Sequence, residues 1–200
     1  STADARFKLI ALGDVCSIVE DQRGNLWCGT NDCGIVAYNP ATGSIRSFRS
    51  NETGLGNDIV ISSTVGKDGA LWFGSFNGGL TCYKDGRFKA YRASANGKGL
   101  VNDNVWALKT EENGNIVIAT LGGGLQLLNP QTGQFTTYTT HNSPLVSNFL
   151  SSIAFDLAGN ILMGHAQEYS ILDAKTHKIR RLIRPKSHKF LSVSSINQIF

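Results

Sequence analysis

Amide and carboxylate side chains gather in two sets of short segments along this 200-residue chain, and they are better suited to bind a ligand than to transform one. One set is Asn57-Asp58, Asn102-Asp103-Asn104 and Ser147-Asn148. The other is Asn31-Asp32, Phe76-Asn77 and the segment holding His165, Gln167 and Glu168. Side-chain amides donate and accept hydrogen bonds and carboxylates accept them, so together they match the hydroxyls of a sugar, on whose ring an aromatic side chain stacks. Trp106 is the aromatic to watch, close to the second of the amide-rich segments. Because Asn and Asp also hydrogen-bond the backbone of turns, each of these residues has a purely local use as well.

Reaction chemistry has thinner support. His141, His165, His177 and His188 are scattered through the last third of the chain without an HExxH pattern, and no serine stands in a GxSxG elbow. The glycine run before Leu125 lacks the GK[ST] ending and following helix of a phosphate loop. His165 and Glu168 are the only nearby acid–base candidates. Cys16, Cys28, Cys33 and Cys82 show no CxxC and no zinc spacing. They read as small buried hydrophobes, with a Cys28–Cys33 bridge across one hairpin as the alternative in an oxidising compartment. No metal and no cofactor is expected.

The net charge of +4 owes much to Lys175, Lys178, Arg180, Arg181, Arg184, Lys186 and Lys189. Such a run is a solvated outer strand or, alternatively, a holder of phosphate or a sulfated glycan. Aromatic residues are not interleaved with it, so nucleic acid is not an expected partner. No stretch approaches the roughly 18 to 20 apolar residues of a membrane span.

The elements that position the polar segments follow from a repeat. Gly24, Gly69, Gly114 and Gly159 are each 45 residues apart and open GNLWCGT, GALWFGS, GNIVIAT and GNILMGH. A period near 45 belongs to four-stranded repeat units. Ahead of each glycine stand a short apolar strand, with Val15 and Ile18, Val60, Val105 and Leu108, or Leu150 and Ile153, and then a polar hairpin turn. The second strand is apolar at consecutive positions, as in Leu71-Trp72-Phe73, which requires cover on both faces. Gly29, Gly74, Ala119 and Gly164 close these runs where backbones approach. Third strands begin at Gly34, Gly79 and Gly124, and fourth strands carry Phe48, Phe88 with Tyr91, and Phe135 with Tyr138. The expected fold is all-β: a β-propeller of four-stranded antiparallel blades.

With VCSIVEDQRGNLWCGTNDCGIVAYNPATG as its strongest copy, the chain resembles the two-component regulator propeller repeat over essentially its whole length. Repeat three has lost the tryptophan, and repeat four carries His165 at the Thr or Ser position and Tyr169-Ser170 in place of Gly-Leu. The resemblance implies the extracytoplasmic sensor region of a hybrid histidine kinase of Bacteroides-type bacteria. The implied setting is the periplasm, with a membrane-anchored parent protein whose propellers bind an oligosaccharide and bias a kinase inside. No catalysis is expected of these residues themselves. The alternatives are a protein-interaction propeller without a small ligand and, further off, a propeller lyase.

Laid against the repeat, residues 13–58, 59–103, 104–148 and 149–192 are four blades. Residues 1–12, with Arg6-Phe7-Lys8 like Arg87-Phe88-Lys89, read as the outer strand of a preceding blade; 193–200 read as the first strand of a following one. The expectation is a fragment of a larger, seven-bladed type of propeller, whose end faces drive self-association or take the remaining blades. In antiparallel blades, the loop entering the first strand and the loop joining the second to the third emerge on one face. That face holds Asn31, Asp32, Asn57, Asp58, Asn77, Asn102, Asn104, Trp106, His165, Gln167 and Glu168.

Overall fold

The computed structural model describes residues 14–94, 99–166 and 168–182. Those residues form four antiparallel four-stranded sheets, each in plain sequence order. The first blade is β1 (Val15–Glu20), β2 (Leu26–Thr30), β3 (Ile35–Tyr38) and β4 (Ile45–Phe48). The second is β5 (Val60–Val65), β6 (Leu71–Ser75), β7 (Gly79–Lys84) and β8 (Arg87–Tyr91). The third is β9 (Val105–Thr110), β10 (Ile116–Thr120), β11 (Gly124–Leu128) and β12 (Phe135–Tyr138). The fourth is β13 (Ser152–Phe155), β14 (Ile161–Gly164), β15 (Tyr169–Leu172) and β16 (Ile179–Leu182). The first strands lie side by side, β1 on β5, β5 on β9 and β9 on β13, as blades of a propeller do.

The core sits between blades rather than within one. Trp27, Ile35 and Phe48 of the first blade pack on Val60, Leu71 and Phe73 of the second; Trp72 and Leu80 of the second pack on Val105, Ile116 and Ile118 of the third. Consecutive apolar residues on the second strands of the second and third blades are thus explained, since among the described residues each of these has a neighbouring blade on both sides. The small closing residues are required by these seams. A methyl group on Gly29 would stand 2.7 Å from Val60 Cγ1, and one on Gly74 would stand 2.5 Å from Val105 Cγ1. Those distances are well inside carbon–carbon contact, so the first residue of each inner strand fills a notch left by the missing side chain.

Val15 and Ile18 are 43% and 60% exposed, whereas their counterparts Val60, Val105 and Leu150 are fully buried against the preceding blade. Cys16 shares that exposed position; Cys28 is buried and Cys33 and Cys82 are partly so. All four thiols are free, so the Cys28–Cys33 bridge is not formed. In the basic run, Arg180 and Arg181 lie exposed on β16. Arg184, Lys186 and Lys189, like Arg6-Phe7-Lys8 and residues 193–200, lie outside the described residues.

Candidate functional site

The entering loops and the loops joining second to third strands meet at one end of the blades, as the strand directions require. Asn31 N–H donates to the Asp14 carbonyl, Phe76 N–H to that of Ile59, and Leu121 N–H to that of Asn104, each at 3.0 Å. We call this end the mouth. Many of the polar side chains expected to face a ligand there are engaged by their own backbone. Asn57 Oδ1 accepts from Ile59 N–H at 2.9 Å, Asn102 Oδ1 from Asn104 N–H at 2.8 Å, and Ser147 Oγ from Phe149 N–H at 3.0 Å. These are one turn repeated at the blade period.

The next residue in each loop clamps a seam. Asp58 Oδ1 accepts from Ser50 N–H at 2.6 Å while its carbonyl accepts from Gly34 N–H at 2.9 Å. Asp103 does the same for Ala93 and Gly79, and Asn148 for Thr140 and Gly124. Arg49 lies 3.5 Å from Asp58, and Arg92 lies 3.2 Å from Asp103. A neutral amide performs this task in the third blade, so the task is hydrogen bonding and the charge is secondary.

Several groups remain for recognition. Asn31 and Asp32 are exposed, and Asn77 is held at φ 52°, with its N–H on Asn104 Oδ1 at 3.0 Å. Phe76 and Phe149 are 38% and 64% exposed. Phe149 and Asn102 flank one glycine: a methyl group on Gly122 would stand 3.8 Å from Phe149 Cε1 and 3.3 Å from Asn102 Nδ2. Trp106, half-buried, is the extra residue of a β-bulge, since Val105 pairs with Thr120 and Ala107 with Ala119. Cys16 and Ile61 occupy the same bulge in the first two blades. Bulges at a rim re-aim side chains and concentrate beside functional sites.

His165 contributes less to the mouth than expected. It is buried, its Nε2 lies 2.9 Å from Ser170 Oγ, and its N–H donates to the Glu168 carbonyl. Burial pushes the imidazole below its ordinary range, against opposing pulls from the Phe149 carbonyl and Glu168, so the ring favours the neutral form. Glu168 is exposed, and Gln167 lies outside the described residues. Phe149 was not among the sequence-derived candidates; it stands where other repeats carry Asp14, Ile59 and Asn104, and that break in the pattern marks it.

Clefts open at the opposite end, along the seams. One of about 520 Å³ lies between the first two blades, and one of about 410 Å³ between the third and fourth.

Comparison with known proteins agrees with this architecture. The family model for the two-component regulator propeller matches residues 10–32. No curated protein matches the chain. Among solved structures, the chain is similar to one assigned as the extracellular domain of the hybrid two-component system BT3049 of B. thetaiotaomicron, at 19% identity and a TM-score of 0.76 over 87% of this chain and 25% of that one. It is also similar to the extracellular domain of BT4673 of the same organism, at 23% identity and a TM-score of 0.71 over 92% of this chain and 23% of that one. The chain thus spans about a quarter of the structures it matches. Residues 10–32 thus match the two-component regulator propeller repeat, and the chain shares the fold of these extracellular domains.

Proposed function

We propose that these blades are a non-catalytic part of the periplasmic sensor of a membrane-anchored hybrid two-component kinase, and that they bind an oligosaccharide at the mouth. The observation that carries this reading is the grouping of exposed Phe149 with the Asn102 amide around Gly122. Asn102 Oδ1 is spent in its turn, while Nδ2 has no partner among the described residues and offers a donor beside an open aromatic face. That pair, with Asn104 and Trp106 close by in sequence and Asn77 hydrogen-bonded to Asn104, is the combination that holds a sugar ring by stacking and its hydroxyls by hydrogen bonds. A ligand that prefers one arrangement of the sensor shifts the population of the attached kinase. The likeness to extracellular domains of two-component systems supports the sensor setting.

The test is a thermal-shift screen of oligosaccharides against the extracytoplasmic region that contains these blades. A saccharide that raises the melting temperature, with the rise abolished by Phe149→Ala, supports the reading. No shift with any saccharide, together with capture of a protein partner through the exposed phenylalanines, overturns it in favour of a protein-interaction propeller.

A further inference from the structure

We propose that the cleft between the first and second blades, at the end away from the mouth, is a second binding site, for a neutral saccharide of one or two rings. It stands on its own observations, whatever the mouth binds.

The cleft is bounded on one side by a turn whose shortening the 45-residue period conceals. Ile35 pairs with Phe48 and Leu125 with Tyr138, thirteen positions on in both cases. Leu80 pairs with Tyr91, only eleven on. The turn after β7 is therefore two residues shorter than its counterparts. It is a tight hairpin with Asp85 and Gly86 at φ 50° and 79°, the geometry of a two-residue hairpin loop. This low wall faces the longer turn of the first blade across about 520 Å³, within the range of small-ligand sites.

The lining suits hydroxyls. Trp27, Phe48 and Tyr83 form an aromatic floor, with ring centroids 5.3 Å apart for Trp27 and Phe48 and 4.5 Å for Trp27 and Tyr83. The Arg46 guanidinium sits over Phe48, 5.2 Å from the ring centre, which fixes a fork of donors at the rim. Around it Arg23, Arg46 and Lys84 balance Asp21, Asp68 and Asp85. A charged ligand therefore gains nothing from the rim as a whole, whereas hydroxyls meet donors and acceptors together. Asp21 is already filled by donors from Arg23, Asn25 and Trp27, and Lys84 is bound to Asp68 at 2.6 Å. Arg23, whose donation to Asp21 comes from its backbone N–H, is left with Arg46 and Asp85 as the charged groups for a ligand.

The three tryptophans make the test direct. Trp27 lines this cleft, Trp106 stands near the mouth and Trp72 is buried between the second and third blades. In the ¹⁵N-labelled chain the three indole N–H resonances are followed during titration with glucose, galactose, mannose and their disaccharides, with glucuronic acid as the charged comparison. The expected result is a saturable shift of the Trp27 resonance by at least one neutral saccharide, with Trp72 unmoved. Arg46→Ala should weaken that binding at least fivefold while the Trp72 and Trp106 resonances keep their positions, which shows that the fold is intact. Phe149→Ala should leave it unchanged, separating this site from the mouth. No shift of Trp27 with any neutral saccharide, a response to glucuronic acid alone, or wild-type binding by Arg46→Ala would each overturn the proposal.

Discussion

The second blade lacks a hydrogen-bond acceptor that the first blade has, and supplying it should stabilise the chain measurably. In the first blade Asp21 Oδ2 accepts from Trp27 Nε1 at 2.9 Å, and Oδ1 accepts from Arg23 N–H and Asn25 N–H. Burial pushes this carboxyl up, but hydrogen bonds from Asn25, Trp27 and Arg23 outweigh it and hold the group below the usual carboxylate range. One period later the position is Gly66, and Trp72 Nε1 is buried without a partner among the described residues. A methyl group on Gly66 would stand 3.1 Å from that nitrogen but 2.8 Å from Asp68 Oδ1. The perturbation is therefore Gly66→Asp together with Asp68→Arg, which reproduces the first blade's turn and removes the like charge. An orphaned buried donor costs about 1–3 kcal/mol and a hydrogen bond to a charged group contributes about 1.5–3 kcal/mol. Loss of the exposed Lys84–Asp68 pair subtracts about 0–1 kcal/mol. The net gain should be about 1–2 kcal/mol, or roughly 2–8 °C in Tm for a chain of this size. A carboxyl depressed in the folded state stabilises fully above its unfolded pKa of about 3.9, and the gain is lost as pH falls through the lower folded value. Thermal denaturation at pH 7 and pH 3 reads both. The reasoning fails if Gly66→Ala with Asp68→Arg gains as much, because the effect would then be chain stiffening rather than a bond to Trp72.

Three further outcomes follow from the seams. Asp58→Asn should be nearly neutral in urea unfolding, since Asn148 does the same work, whereas Asp58→Ala should cost about 1–2 kcal/mol by leaving Ser50 N–H without its acceptor. Gly74→Val should cost about 1–3 kcal/mol or more, because Val105 Cγ1 and Ser62 Oγ already crowd the place of the first added carbon. Burial foremost, with help from Asp68, pushes the Cys82 thiol up to about 11. Burial and Asp14 raise the Cys16 thiol as well, so exposure decides the contrast: at pH 8 a thiol reagent should label exposed Cys16 in the native chain well before half-buried Cys82, as read by peptide mass; equal native labelling of both would contradict this.

The blade architecture was legible because the same packing problem recurs every 45 residues. Gly29 and Gly74 are glycine because Val60 and Val105 occupy the space of their side chains, so seam geometry is written directly into residue type. The binding residues were less legible because turns and ligands recruit the same chemistry. Asn57, Asp58, Asn102 and Asp103 looked like a polar mouth, yet their oxygens close loops and clamp neighbouring blades. Phe149 escaped notice because it replaces unlike residues, and the bulge at Trp106 because an extra residue in one strand leaves no mark on apolar spacing. The cleft between the first two blades stayed hidden for a related reason. Two residues missing from the turn after β7 reappear in the following loop, and the period stays at 45.

Calorimetric titration of the strongest saccharide ligand into the sensor region, for wild type, for Asn102→Asp, which keeps the turn acceptor for Asn104 N–H and removes the Nδ2 donor, and for Phe149→Ala, tests oligosaccharide binding at the mouth most directly. The expected result is saturable binding by the wild type and at least a tenfold weaker Kd in each variant, with unchanged melting temperatures of the free proteins. Binding that is indifferent to both substitutions would contradict it.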